Sequence, residues 1–399
     1  MIVQPKIRGY ICTTAHPVGC ANSVAQQIDF VKKQGPIDGG PKKVLVIGAS
    51  NGYGLASRIV AAFGCQADTV GVFFERSSEN NKRTATAGWY NTVAFEKQAQ
   101  ADGLYAKSFN GDAFSNRIRQ DVCQTIKEDL GQVDLVIYSL ASPRRQHPET
   151  GEISKSVLKP IGAPFQGKSL NLNTLEMEMI ALEPASDDEI QQTVAVMGGN
   201  DWTLWIESLL ADDLLAPGAN TVAYSYIGPE VTRLIYRNGT IGRAKDHLEQ
   251  TAKQLDAKLK VINGHAVVSV NKAIVTQSSS AIPFIPLYFV ILTRVMKAMN
   301  LEESCVEQMH RLFQSRLFNG NGIIVDEQGI VRMDDYEMRE EVQKKVMANW
   351  ERVNIRNLRE LADIEEYNKQ FLRLFGFGLD NTDYQEDVRI DLAIPSIKS

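Results

Sequence analysis

No apolar run in this 399-residue sequence is long enough to cross a bilayer. The longest, Ala281 to Leu292, is interrupted by Pro283 and Pro286. The opening residues, Met1-Ile-Val-Gln-Pro-Lys, lack the charged-then-apolar layout of a secretory signal. Cysteine is scarce: five residues, at 12, 20, 65, 123 and 305, odd in number and scattered, which argues against a disulfide framework and fits a reducing cytosol. Positive charge is not in excess either. With 43 Lys and Arg against 48 Asp and Glu the net charge is −5, so no nucleic-acid surface is expected. Internal repeats and low-complexity stretches are missing. These absences leave the expectation of a soluble, cytoplasmic, globular protein, with neither membrane nor nucleic acid as a partner.

What is present begins with Lys43-Val-Leu-Val-Ile-Gly48-Ala-Ser-Asn-Gly52-Tyr-Gly54. The apolar run Val44 to Ile47 predicts a buried parallel strand, and Leu55 to Phe63 predicts a helix. Strand, glycine turn and helix in that order begin a dinucleotide-binding unit. Glycine serves there because the turn needs unusual dihedrals and the backbone must come close to a pyrophosphate. The helix start offers free N–H groups and a positive dipole end to the anion. The spacing is G-x-x-x-G-x-G, as in short-chain dehydrogenases, and not G-x-G-x-x-G. An ordinary strand-to-helix turn can carry the same glycines, so the rest of the chain has to decide.

Thr69 to Phe74 predicts a second strand, Tyr105 to Phe109 a third, Asp134 to Ser139 a fourth, Asn220 to Ile227 a fifth and His265 to Val275 a sixth. With helical stretches between them, this predicts an α/β fold built on a Rossmann-type doubly wound parallel sheet. One elaborated domain is expected over 1–399. It has an N-terminal extension at 1–40, a cofactor and substrate core at 41–300 with an irregular rim insertion at 144–184 holding one short hairpin, and a helical C-terminal extension at 301–399. Glu75, at the end of the second strand, is the residue type that binds adenosine ribose hydroxyls and repels a 2′-phosphate, which points to NADH. The neighbouring Arg76 pulls the other way. Ser186-Asp-Asp-Glu189 reads as a capping box. Asn300-Leu-Glu-Glu303 and Asp334-Asp-Tyr-Glu337 read as further helix starts, a short hairpin is expected over 323–333, and the polar residues 379–399 are expected to fray. No catalytic constellation is expected beyond residue 300. Cys12, His16 and Cys20 match no zinc spacing, so no metal is expected.

Tyr236 and Lys245 are separated by eight residues, with Gly239 and Gly242 between them. The glycines predict a tyrosine on a loop and a lysine on the following helix. A phenol titrates at about 10 in water, and a nearby cation favours its ionised form. A lysine beside a nicotinamide ribose can act in this way and also hold the cofactor.

At these residues the sequence resembles the FabV-type enoyl-acyl carrier protein reductases and the related trans-2-enoyl-CoA reductases. The resemblance covers essentially the whole chain. It rests on Val46-Ile-Gly-Ala-Ser-Asn-Gly-Tyr-Gly, Gly71-Val-Phe-Phe-Glu75, Asn110-Gly-Asp112-Ala-Phe-Ser, Tyr138-Ser-Leu-Ala-Ser-Pro143, Ser225-Tyr226-Ile-Gly, Tyr236-x8-Lys245 and Val275-Thr-Gln-Ser. It implies NADH-dependent reduction of the trans-2 double bond of enoyl thioesters, the last step of the fatty-acid elongation cycle, by a monomer. It further implies that Gly48, Ala49, Ser50, Asn51, Gly52 and Tyr53 line the pyrophosphate. Phe74 and Glu75 would meet the adenosine ribose, Gly111 and Asp112 the adenine, and Ser139 and Leu140 would run along the cofactor. Ile274, Val275 and Thr276 would close over the nicotinamide. Lys245 would hold the cofactor, Tyr236 would donate the proton, and Tyr226 would bind the substrate carbonyl. The acyl carrier would be acyl carrier protein or, alternatively, CoA. A non-catalytic NAD-binding regulator is the alternative of another class, and the intact Tyr236, Lys245 and Tyr226 argue against it. Ala281 to Leu292 reads either as a wall for the acyl chain or as a helix that completes the core.

Overall fold

Both faces of the strand Lys43–Ile47 are buried. Val44 and Val46 join an apolar cluster with Val24, Ile28 and Ile59, while Leu45 and Ile47 join another with Trp202 and Trp205. A strand covered on both sides needs a continuous apolar run, as here, and not an alternating one. The computed structural model describes every residue except 9–10, 80–81, 173, 277–284 and 398–399.

A hairpin of β1 (Ile7–Arg8) and β2 (Ile11–Cys12) precedes the helix Pro17–Gln34. Then come β3 (Lys43–Ile47), β4 (Asp68–Phe73), β5 (Ala106–Asn110) and β6 (Val133–Tyr138). The rim insertion carries two antiparallel hairpins where one was expected: β7 (Arg144–Gln146) with β8 (Ile153–Lys155), and β9 (Phe165–Asn171) with β10 (Glu176–Leu182). The chain continues with β11 (Leu215–Ser225), β12 (His265–Val270) and β13 (Ile330–Arg332). The central sheet has seven strands in the order β13-β12-β11-β6-β3-β4-β5, every neighbouring pair parallel. The chain runs outward from β3 to β5, returns to β6, and then runs outward the other way. This is the doubly wound α/β arrangement, with its reversal between β3 and β6, where such sheets bind ligands at their carboxyl ends.

Two clusters cover the two faces of the sheet. A third forms around the helix Ile285–Ala298 and the helices Glu340–Arg352 and Ile364–Arg373. The expected capping box at Ser186 and Glu189 is present and opens the helix Asp187–Met197. Among the described residues no helix is long and apolar enough to cross a membrane.

The second half departs from expectation in several places. The sixth strand stops at Val270, and the residues after it leave the sheet. The hairpin expected over 323–333 does not form: Ile330–Arg332 pairs in parallel with β12 as a seventh strand. A parallel partner some sixty residues away in sequence leaves no local hairpin signal. The helix expected from Asn300 begins at Cys305, where Ser304 and Glu307 form the capping box. Asn300 itself, at φ 54°, sits in the left-handed turn that closes the preceding helix. Asp334 to Glu337 starts no helix; the next one begins at Glu340.

Residues 388–396 of the tail are packed and hydrogen-bonded to the body of the protein, against the expected fraying. Trp89 Nε1 donates to the Leu392 carbonyl at 2.7 Å and Tyr90 Oη to the Ile390 carbonyl at 2.7 Å. Ser396 donates to the Glu96 carboxylate through N and Oγ at 2.9 and 2.7 Å, and Ser108 N, on the edge strand β5, donates to Ser396 Oγ at 2.9 Å. Val388, Ile390 and Ile394 are buried while Arg389, Asp391 and Ala393 are exposed. That alternation was legible in Val388-Arg-Ile-Asp-Leu-Ala-Ile394 and was outweighed by the polar composition around it. Ile390→Ala should destabilise the fold by about 2–5 kcal/mol, the usual cost of emptying a buried isoleucine site. Denaturant unfolding checks this, and an unchanged midpoint would mean the tail carries no stability.

Candidate active site

At the reversal of strand order, the chain leaves β3 through Gly48 at φ 92°. A Cβ there would lie 2.0 Å from the Ser139 carbonyl oxygen, and one on Gly54 would lie 1.9 Å from the Gly48 carbonyl oxygen. Gly52, at φ 53°, has no atom nearer to such a Cβ than Thr276 Cγ2 at 3.7 Å. The first two glycines allow backbone to pack on backbone. The third keeps open the space between the loop and the segment Ile274 to Thr276. The helix Gly52–Ile59 begins there with Asn51 as N-cap, and no side chain caps its N–H groups. An uncapped helix start behind a glycine turn fits the pyrophosphate of a nicotinamide dinucleotide.

The side chains of the loop are engaged elsewhere. Ser50 Oγ and Asn51 Nδ2 donate to Glu75 Oε1 at 2.7 and 3.0 Å, and Asn51 Oδ1 accepts from Asn91 Nδ2 at 2.9 Å. Burial raises the Glu75 carboxyl from its ordinary value, against these hydrogen bonds and the nearby Arg76. Asn110 clasps the Glu75 backbone, accepting from its N–H at 2.8 Å and donating to its carbonyl at 2.9 Å. Glu75 therefore ties the glycine loop to the ends of β4 and β5. Beside it Phe74 is 78% exposed. Gly111 and Asp112 follow β5 and help line a cavity of about 530 Å³, whose other walls include Ile118 and the tail residues Ser396 and Ile397. Asp112 Oδ1 accepts from the Phe114 N–H at 3.0 Å. Ala49 is fully buried, and Leu140 lies against the Gly48 backbone. Tyr53 Oη donates to the Lys272 carbonyl at 2.6 Å, joining the glycine loop to the chain after β12. Val275 is buried in the third cluster.

The tyrosines converge from the other side. Tyr226 directly follows β11, and Tyr236 lies in the loop before the helix Thr240–Leu259, which carries Lys245. The loop-then-helix arrangement expected from the two glycines is the one observed. Both Gly239 N and Gly242 N donate to the Tyr236 carbonyl, at 3.2 and 3.0 Å, and a Cβ on Gly242 would lie 1.7 Å from the Arg237 carbonyl oxygen. This tight loop brings the Tyr236 ring edge-to-face with Tyr226, centroids 5.0 Å apart at 76°. Burial, then the Glu337 charge, push the Tyr236 phenol well above its usual value. The expected lowering by Lys245 is not what sets this phenol. Burial lowers Lys245 itself to about 8, with Glu249 opposing.

Glu337 is the residue that sequence reasoning missed. It is fully buried and accepts a hydrogen bond from Tyr226 Oη at 2.9 Å. The acidic run Asp334 to Glu337 pointed to a helix cap, and nothing local marks one of its acids as buried. Residues 281–284 of the expected acyl wall, Ile282 and Phe284 among them, lie outside the described residues. Ile285 to Leu292 are buried in the third cluster, against which Tyr226 also packs.

The glycine loop, Glu75, Asp112, Tyr226 and the turn that carries Glu337 all follow the carboxyl ends of parallel strands. Comparison with known proteins agrees with that geometry. Residues 83–318 match the family described as "Trans-2-enoyl-CoA reductase catalytic region", and residues 2–80 match "NAD(P)H binding domain of trans-2-enoyl-CoA reductase". The chain belongs to the trans-2-enoyl-CoA reductase family. It is 57% identical, over all of its length and 98% of the relative's, to an NADH-dependent enoyl-acyl-carrier-protein reductase of Coxiella burnetii. It is 55% identical, over the full length of both, to an NADH-dependent trans-2-enoyl-CoA reductase of Ruminiclostridium cellulolyticum. The crystal structure of the Clostridium acetobutulicum trans-2-enoyl-CoA reductase in complex with NADH superposes with a TM-score of 0.96 at 44% identity, covering both chains completely. Residues 325–388 match "Enoyl reductase FAD binding domain". In that span the one strand, β13, runs into Met333, Asp334 and the buried Glu337, with no glycine turn leading into a helix. These residues do not fit a flavin dinucleotide, whereas the glycine loop after β3 fits a nicotinamide one.

A lysine lowered to about 8 by burial loses its charge as pH rises through that value. If Lys245 holds the cofactor through its ammonium, NADH affinity should be constant below that value and weaken as pH rises through it. The Kd of the Lys245→Met variant should be weaker and flat across the same range. Fluorescence titration of NADH measures both, and parallel pH profiles in the two proteins would remove Lys245 from cofactor binding.

Proposed function

We propose that this chain reduces the trans-2 double bond of enoyl thioesters with NADH, Tyr236 giving the proton and Tyr226 binding the thioester carbonyl. The observation that carries this reading is the edge-to-face pair of Tyr226 and Tyr236 just past the carboxyl end of β11, on the side of the sheet where the glycine loop follows β3. NADH, when bound, supplies the hydride that adds to the β-carbon of the enoyl group. Negative charge then gathers on the thioester oxygen as an enolate. Hydroxyl donors held toward that oxygen stabilise the charge more in the transition state than in the ground state. Both phenols are pushed above their usual values, so both keep their hydrogens at neutral pH and act as donors. Tyr236 then protonates the α-carbon. Lys245 holds the nicotinamide ribose, and Glu75 takes the adenosine ribose and repels a 2′-phosphate.

The carrier we propose is acyl carrier protein, with CoA as the alternative; relatives of nearly equal identity are named for each. We place the enzyme in the cytoplasm, as a monomer of one elaborated domain. NADH oxidation should be seen with crotonyl-CoA and with a longer enoyl-acyl carrier protein, and the higher kcat/KM identifies the carrier. Tyr236→Phe should lose about 10²- to 10⁴-fold in kcat, and NADPH should serve less well than NADH. No oxidation with any enoyl thioester would overturn the function, full turnover in the variant would remove Tyr236 from its role, and equal use of NADPH would refute the part given to Glu75.

A further inference from the structure

Glu337 lies between β13 and the helix Glu340–Arg352, in a turn hung from β12 by the Met333 and Asp334 N–H groups, which donate to the Val270 carbonyl at 2.9 and 3.1 Å. Three elements meet on its carboxyl group. Tyr226, after β11, and Tyr288, on the helix Ile285–Ala298, both donate to Oε1, at 2.9 and 2.6 Å. The Ala273 N–H, after β12, donates to Oε2 at 2.6 Å. Gln343 Nε2 donates to the Glu337 carbonyl at 2.7 Å and to Tyr288 Oη at 3.4 Å. The titratable groups around the carboxyl are Tyr53, Tyr226, Tyr236, Tyr288 and the buried Lys272. Burial raises Glu337 above the ordinary carboxylate range, opposed by the Ala273, Tyr288 and Tyr226 donors and by Lys272.

A phenol has one hydrogen. While Tyr226 gives it to Glu337, it cannot give it to a thioester oxygen. A protonated Glu337 reverses the bond: the acid donates to Tyr226 Oη and leaves the phenol hydrogen for the substrate. The other partners stay satisfied, since Oε1 still accepts from Tyr288 and Oε2 from Ala273. We propose that Glu337 is a positioning residue that sets the direction of the Tyr226 hydroxyl, and that turnover uses its protonated form. The proposal rests on Tyr226 as the ligand of the thioester carbonyl. The proton on Glu337 comes from solvent before turnover and stays there, so the hydride and α-proton steps are unchanged.

The test is kcat against pH, with crotonyl-CoA and saturating NADH. Wild-type kcat should be full at low pH and fall as pH rises through the Glu337 titration, above the ordinary carboxylate range. Glu337→Gln copies the protonated acid toward Tyr226 and Ala273, its amide N–H₂ donating to Tyr226 and its oxygen accepting from Ala273, while Tyr288 changes from donor to acceptor. It should keep kcat within about threefold of the low-pH wild-type value and lose this limb of the profile. Glu337→Ala should lose about tenfold or more against the low-pH wild-type value and show no Glu337 limb, with NADH affinity retained. Tyr288→Phe removes a donor to the anion, so the limb should move to higher pH. Glu337→Gln falling as far as Glu337→Ala, or a limb that stays in place in both Glu337→Gln and Tyr288→Phe, would overturn the proposal. Full kcat in Tyr226→Phe would overturn the role of Tyr226 instead, which is a separate failure.

Discussion

The contact of the Gly48 backbone with Ser139 sets the geometry of everything downstream. It lies at the single reversal of strand order, where β3 and β6 are neighbours. A side chain at position 48 would meet the Ser139 carbonyl, and one at 54 would meet Gly48 itself. Only a bare backbone lets the helix Gly52–Ile59 begin so close to the end of β6. That start leaves N–H groups without a side-chain cap at the carboxyl end of β3. Glu75 is fastened to the same loop through Ser50 and Asn51, and the chain after β12 is fastened to it through Tyr53. Displacing the loop would therefore move both the end of β4 and the chain after β12.

Much of this was readable because the signals are local. The apolar runs of β3, β4 and β6, the glycine spacing, the acid at the end of β4 and the capping box at Ser186 each lie within a dozen residues. Gly239 and Gly242 likewise marked Tyr236 as a loop residue and Lys245 as a helical one. What was not readable depends on partners far away in sequence. β13 is too short to show a pattern and takes its identity from β12. The tail is polar in composition, yet its alternating residues are buried because Trp89, Tyr90 and Glu96 supply the hydrogen bonds its backbone and Ser396 need. Glu337 sits in a run of acids that resembles a helix start, and only the fold distinguishes it from Asp335, which is engaged by Arg311 and Arg316.

The C-terminal third thus touches the candidate site, through Glu337 on Tyr226, as well as forming part of the core. β13 places the turn 333–337 at the same carboxyl end of the sheet as the glycine loop, and the tail closes the cavity beside Asp112. Neither contribution involves a catalytic motif. Each follows from parallel strands whose connections all emerge on one side, so an added strand at the far edge brings its following loop to the crevice.

The electrostatics of the crevice share one tendency. Burial pushes Tyr226, Tyr236 and Glu337 toward their neutral forms and draws Lys245 down to about 8. Neutral phenols in a buried site keep their hydrogens, and a phenol hydrogen aimed at charge developing on a thioester oxygen acts there at low effective dielectric. The same burial makes any carboxylate beside the tyrosines a rival acceptor for those hydrogens. In such a surrounding the protonation of one acid decides whether the donors face the substrate or the protein.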